Sequence, residues 1–325
     1  MSGNGAGRRA ALRLGMGLAA FGLAAPAIAQ ANGKIRVGVP TKAYWPTIVT
    51  LAALRQKLFE KEGIAAEMTI YRSGGECFEA LAAGATDIIL DPPSLVAAGL
   101  RRGVRSQMVA GAADAYYGWH LVVRQDSPIT KVEELAGKKV GITAAGSGSD
   151  LLAAWTMQDR KISFERVPVG GGGLVPNLRS RNLDAAVLYS PLTFQMIRAG
   201  QARSLIDFTN AMPRHNVASW IVPEKLVQER PQAVQGSVNA RFGGLAWLRG
   251  HRDGAVALIA ENNELPAETA TIEFEETILK LDTVGGIELK QVEIALDLAR
   301  LGGMTDLAPA AETFTTRFRP VPTAA

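Results

Sequence analysis

The sequence predicts an α/β protein of two lobes that close like a clamshell, with mixed sheets covered by helices on both faces. Three observations carry that expectation. Short β-branched runs alternate with helical stretches from residue 35 to residue 189, as in parallel or mixed sheets buried under helices. A unit of Gly-rich turn, helix, tight turn and strand occurs twice. Gly74-Gly75, Leu81 and Asp87 return 97 residues later as Gly171-Gly172, Leu178 and Asp184. Crossing signals lie near 114–118 and 219–222, so the chain leaves one lobe and returns to it, and two connections make a hinge. The predicted division is residues 34–116 plus 221–325 for lobe one and 117–220 for lobe two.

Each element has its own signal. Residues 35–39 alternate β-branched and small residues and end at Pro40, a strand. Leu51, Leu54 and Leu58 have helical spacing over 48–61, and Gly63 ends that helix. Strands follow at 68–71 and 87–90. Helices are predicted at 76–83, stopped by Gly84, and at 93–102. The second half repeats the alternation. It has strands at 121–124, 139–143, 165–169 and 184–189, with helices at 150–158 and 174–181. From Glu224 onward the pattern is mostly helical and is expected to pack on lobe one.

Residues 1–31 read as an export segment. Arg8, Arg9 and Arg13 form a charged start, residues 14–23 a short apolar run, and Ala27, Ala29 and Ala31 two overlapping small-residue cleavage sites. The run is about ten residues, too short for a bilayer that needs roughly 20. Cleavage is expected near residue 29 or 31, and the Arg8-Arg9 pair points to the twin-arginine route. The protein should then be periplasmic, working without cellular ATP or nicotinamide, and no cofactor is expected.

Charge and cysteine content narrow the classes further. The whole chain carries +4, and removing three signal arginines leaves +1 (4 minus 3), too little for a nucleic-acid surface. The single cysteine, Cys77, excludes an intrachain disulfide and follows the export segment too late to take a lipid. His120, His215 and His251 lack metal-ligand spacing with one another or with Cys77, so no metal site is expected. A monomer is expected, with no catalytic residues.

The candidate ligand residues cluster at predicted strand ends. Gly146, Ser147, Gly148 and Ser149 open a helix with free N–H groups and hydroxyls that suit an anion. Arg72, Ser73, Gly74 and Gly75 pair a guanidinium with glycine backbone, also suited to an oxyanion. Tyr44 and Trp45 follow the first strand, where α/β sheets place ligands. Pro93 and Ser94 open the helix after the third strand, and Tyr189 ends the strand at 184–189. The expected mechanism is one anionic head bridging Arg72 and Ser147 across the cleft. Ala145-Gly146-Ser147-Gly148-Ser149 lacks the glycine spacing of a nucleophile elbow, and no Gly-Lys-Ser/Thr makes it a phosphate loop.

Several segments together resemble a family. Residues 127–142, the small-residue turns at 80–88 and 183–186, and Asn216 to Pro223 with Arg230-Pro231 resemble periplasmic solute-binding proteins of the nitrate/sulfonate/taurine and thiamine-precursor (NMT1/THI5-like) class. The resemblance spans nearly the whole chain after residue 31. It implies a type II periplasmic binding protein clamshell. Such a protein captures a small, anionic organic solute (sulfonate, sulfinate or carboxylate, with an aromatic or alkyl body) and hands it to an ABC permease. Arg72-Ser73-Gly74-Gly75 is also similar to the R-x-G-G motif of biphenyl sulfinate desulfinase, an enzyme of this fold. There a Cys after strand one is the nucleophile. Here that loop, residues 41–46, has no Cys, so binding without catalysis is the expectation.

Overall fold

The computed structural model describes residues 33–321. The export-segment reading lies outside the described residues. In chain order the strands are β1 (Lys34–Val39), β2 (Ala65–Ile70), β3 (Ile89–Asp91), β4 (Ser106–Ala113), β5 (His120–Arg124), β6 (Lys139–Ile142), β7 (Glu165–Pro168), β8 (Ala185–Leu188), β9 (Ala202–Asp207) and β10 (Ala218–Pro223). The helices of the α/β part are α1 (Trp45–Arg55), α2 (Leu58–Lys61), α3 (Gly74–Ala82), α4 (Pro93–Arg101), α5 (Gly148–Arg160), α6 (Leu174–Arg179), α7 (Leu192–Arg198) and α8 (Phe208–Ala211). The C-terminal helices are α9 (Glu224–Glu229), α10 (Pro231–Gly250), α11 (Arg252–Asn263), α12 (Ala267–Glu276) and α13 (Leu289–Leu301).

The strands form two systems with one topology. In the first, β1 pairs parallel with β2, Val37 bridges Ile88 just before β3, and β10 runs antiparallel between β3 and β4. The order across it is β2-β1-β3-β10-β4. The second is a five-stranded sheet of order β7-β6-β8-β5-β9, in which β6 pairs parallel with β7 and β8 while β5 runs antiparallel to β8 and β9. β6, β7 and β8 thus repeat β1, β2 and β3, and each system is crossed by one antiparallel strand.

The repeated Asp explains part of the internal echo. Asp87 Oδ2 accepts the Arg36 backbone N–H at 2.8 Å, and the Asp87 N–H returns to the Arg36 carbonyl. Asp184 Oδ2 accepts the Lys139 N–H at 2.9 Å, and its N–H returns to the Lys139 carbonyl. In both units the Asp clamps the incoming third strand to the first one. Its role is structural.

Three sequence expectations need correction. The helix expected over 48–61 is broken, because Lys57 sits at φ 55 in the left-handed region and starts α2 afresh. β4 and β9 carried no recognised strand signal. β4 is rich in Ala, Gly and Ser, which have low strand propensity, and is fixed by its ladder with β10 and by burial. The boundary at 221 cuts β10, whose Ala218, Ser219 and Trp220 already pair with the first system. The long helix α10 packs against α1, while α12 and α13 also touch α7 and α5 of the second half. The C-terminal helices therefore contact both halves. Among the described residues no helix is long and apolar enough to cross a membrane.

Candidate functional site

The C-terminal ends of β1, β3, β6 and β8 converge with the β4–β5 crossover around one cavity of about 50 Å³. Open α/β sheets place ligands at this edge. Pro40, Thr41 and Tyr44 come from the loop after β1, Leu90, Asp91 and Pro92 from the end of β3, and Gly74 from the start of α3. Thr143, Ser147 and Gly148 come from the turn between β6 and α5, and Tyr189 from the end of β8. Tyr116 and Trp119 lie on the crossover, with Val217 and Ala218 closing the wall where β10 begins. No Lys, Arg or His is among the lining residues.

Four rings form a continuous cluster in this wall. Tyr44 meets Trp119 edge-on at 5.5 Å between centroids and Tyr189 at 5.4 Å. Trp119 lies 5.4 Å from Tyr189 and 5.8 Å from Tyr116. Tyr44 and Tyr189 belong to different strand systems, so the cluster spans both. Burial raises the Tyr44, Tyr116 and Tyr189 hydroxyls above the ordinary phenol range, which keeps them neutral.

Asp91 is the acidic residue of the cavity lining and was missed in the sequence. Asp91-Pro92-Pro93 reads as a turn, with nothing in the pattern to mark the carboxylate. In the structure it is 3% exposed, and its Oδ2 has no hydrogen-bond partner among the described residues. Burial pushes its carboxyl well above the usual range.

The two helix starts singled out as anion loops do meet. Gly74, Ser147 and Gly148 line the same cavity, and a Cβ on Gly75 would stand 3.4 Å from the Ala145 carbonyl. Each start, however, already carries a side-chain cap and an acid of its own. At α3, Ser73 Oγ accepts the Glu76 N–H at 3.1 Å, and the Glu76 carboxylate accepts the Arg72 N–H at 2.7 Å. At α5, Ser147 caps Asp150 N, and the Asp150 carboxylate accepts the Gly146 N–H at 2.8 Å. Asp150 also takes Arg166 at 2.6 Å. Both helices thus use a Ser cap and an acid three residues on, close to a capping box. The acid supplies the negative charge that a bound anion would have supplied.

Arg72 lies off the cavity. Its side chain is 85% exposed, is 3.3 Å from Glu76, and does not line the cavity. The helical spacing of Arg72 and Glu76 on the outer side of the turn draws the guanidinium outward. Arg72 meets the other half through its carbonyl, which accepts the Gly171 N–H at 2.9 Å. The run 170–173 is therefore a contact between the two strand systems.

Other expected residues also lie off the cavity lining. Trp45 is core, edge-on to Trp220 at 6.5 Å. Ser73 and Ser149 are buried in capping networks, Ser149 Oγ accepting the Thr143 N–H at 2.8 Å. Gly146 serves the turn at φ 74. Pro93 and Ser94 line a smaller neighbouring cavity of about 10 Å³ behind Pro92 and Tyr116. Tyr44, Gly74, Ser147, Gly148 and Tyr189 are the expected residues that line the main cavity.

Comparison with known proteins agrees with this architecture. Residues 32–261 match the NMT1-like family. A Brucella abortus protein named as a binding protein is 27% identical over 230 residues, 68% of this chain and 69% of that protein. The 2'-hydroxybiphenyl-2-sulfinate desulfinase of Rhodococcus erythropolis is 25% identical over 224 residues, 52% of this chain and 61% of the enzyme. Among solved structures, the periplasmic aliphatic sulphonate binding protein of Escherichia coli superposes with a TM-score of 0.69 at 17% identity, covering 90% of this chain and 94% of that one. The fold is that of periplasmic binding proteins.

Proposed function

The chain belongs to the NMT1-like family, and from that premise we propose that it is a periplasmic solute-binding protein that delivers a small organic molecule to an ABC permease. The observation that carries this reading is the cavity of about 50 Å³ enclosed by strand ends of both sheet systems. The division proposed is residues 34–116 plus 218–325 against 117–217, the returning crossover of the expected boundary at 221 being moved to the start of β10 at Ala218. A cavity walled by both halves of a hinged molecule holds a ligand only when they close. The export segment read at residues 1–31 and the names of the relatives support the periplasm and the transport role. A monomer suffices for both.

The sulphonate in the name of the Escherichia coli protein does not transfer directly. An anionic head would here rely on the two helix starts alone, since no basic side chain lines the cavity. The desulfinase relative raises catalysis as the second reading. Cys77, fully buried and outside the cavity lining, has its thiol pushed up by burial, which supports binding without turnover.

The test is a thermal-shift screen of the chain from residue 32 onward against sulfonates, sulfinates, aromatic carboxylates, pyrimidines and organic ammonium ions. A ligand at 100 times its Kd should add about 2.7 kcal/mol of stability. Saturable 1:1 binding with the compound recovered unchanged supports the proposal. Conversion of the compound, or no response to any class, counts against it.

A further inference from the structure

The cavity holds an acidic group without a basic complement. Asp91 is almost wholly buried, its Oδ2 lacks a hydrogen-bond partner among the described residues, and the residue is part of the cavity lining. No Lys, Arg or His lines that cavity to compensate it. The two nearby helix starts carry Glu76 and Asp150 in their first turns, and these acids offset the positive field there. A buried carboxylate without a counter-charge or hydrogen bonds is expensive, and proteins keep one mainly where something else completes it.

The rest of the lining fits a cation as well. Tyr44, Tyr116, Trp119 and Tyr189 surround the same space with their rings 5.4–5.8 Å apart in edge-on and tilted pairs. Aromatic faces carry negative charge density and attract ammonium groups, most strongly where water is excluded. A plain anion would find no basic side chain among the lining residues to balance its charge.

On the reading of this cavity as the solute site, we propose that the solute it takes is a small organic ammonium ion, its charge paired with Asp91 and its alkyl groups packed among the four rings. The ammonium restores the ionised carboxylate that burial disfavours in the empty cavity. Asp91 is then the residue that sets specificity, and it separates this chain from a receptor for simple sulfonates.

The experiment uses three probes that share one body and differ in the head: propylammonium, 1-propanol and propane-1-sulfonate. Binding to the chain from residue 32 onward is measured by calorimetry. Propylammonium should bind at least about tenfold more tightly than 1-propanol, and propane-1-sulfonate should bind most weakly. Asp91→Asn, which keeps the shape, should lower propylammonium affinity roughly 30-fold or more and leave 1-propanol within about twofold. If Asp91→Asn fails to fold, the order of the three probes on the parent protein still decides. Propane-1-sulfonate binding best, propylammonium not binding, or a propylammonium affinity unchanged in Asp91→Asn overturns the inference. In those cases the wider compound screen settles separately whether the protein binds a solute at all.

Discussion

Asp91 Oδ1 occupies the space in which a Cβ on Gly74 would stand. The first residue of α3 therefore has to be glycine for the β3 carboxylate to keep its place in the cavity wall. Gly74→Ala should force the short Asp91 side chain aside at a cost of about 1–3 kcal/mol, the usual range for overpacking. Adding Asp91→Ala should recover most of that loss, since it removes the obstructing atom. Chemical denaturation of both single variants and the double variant checks this. Additive effects would mean that the two residues are not coupled.

Ser147 and Arg72 should behave oppositely to their sequence-based roles. Ser147 Oγ donates to the Ala144 carbonyl at 2.7 Å, caps α5 and bonds Thr143. Ser147→Ala should lower stability by about 1–2 kcal/mol, as for loss of an N-cap. Arg72→Ala removes an exposed ion pair with Glu76 and should change stability by under about 0.5 kcal/mol. It should leave the affinity for any solute within about twofold. A tenfold loss of affinity in Arg72→Ala would restore the anion-bridge mechanism.

The contrast shows what the sequence made legible. Strand and helix alternation, the doubled unit and the strand-end position of Tyr44, Gly74, Ser147, Gly148 and Tyr189 follow from periodicity and turn chemistry. Such signals are local. Where Arg72 points depends on Glu76 one turn later, and the same Ser-x-x-acid spacing that makes a helix start attractive to anions also fills it. Asp91 was hidden because its importance comes from burial and from the absence of a cation around it. Both are properties of the assembled cavity. β4 was hidden for a similar reason, since its small residues form a strand only when β10 lies alongside.

Stability should fall with rising pH through Glu273. This side chain on α12 is fully buried, with Oε1 unpartnered among the described residues and Oε2 3.1 Å from Thr277 Oγ1. Thr277 Oγ1 also donates to Ser190 Oγ at 2.9 Å, just after β8, so this group sits where the C-terminal helices meet the second half. Burial pushes the Glu273 carboxyl from the ordinary 4.5 up to about 8. The folded protein keeps a proton that the unfolded chain releases. The contribution is therefore fully present below about pH 4.5 and is lost as pH rises through about 8. The loss is on the order of 5 kcal/mol, or several degrees in Tm. Glu273→Gln should flatten this slope between pH 5 and 8 and raise Tm most at the alkaline end. Parallel melting curves of parent and variant decide it, and equal slopes would show that Glu273 does not titrate there.

Closure should depend on Gly171, the point where the second half seats on the first. Its N–H donates to the Arg72 carbonyl at 2.9 Å. A Cβ there would lie 2.5 Å from Thr41 Cγ2 and 2.6 Å from the Tyr189 hydroxyl, both of which belong to cavity-lining residues. Thr41 follows β1 and Tyr189 follows β8, so an added methyl would wedge between the two systems. The closed form would lose population, and apparent affinity falls in proportion to the competent fraction. Gly171→Ala should weaken solute binding about tenfold and increase the radius of gyration of the ligand-bound protein in X-ray scattering. Gly172→Ala is the matched control, because a Cβ at Gly172 meets nothing within 4 Å. It should bind and scatter like the parent. If Gly171→Ala also does so, the halves do not need this contact to close, and the cavity is formed without it.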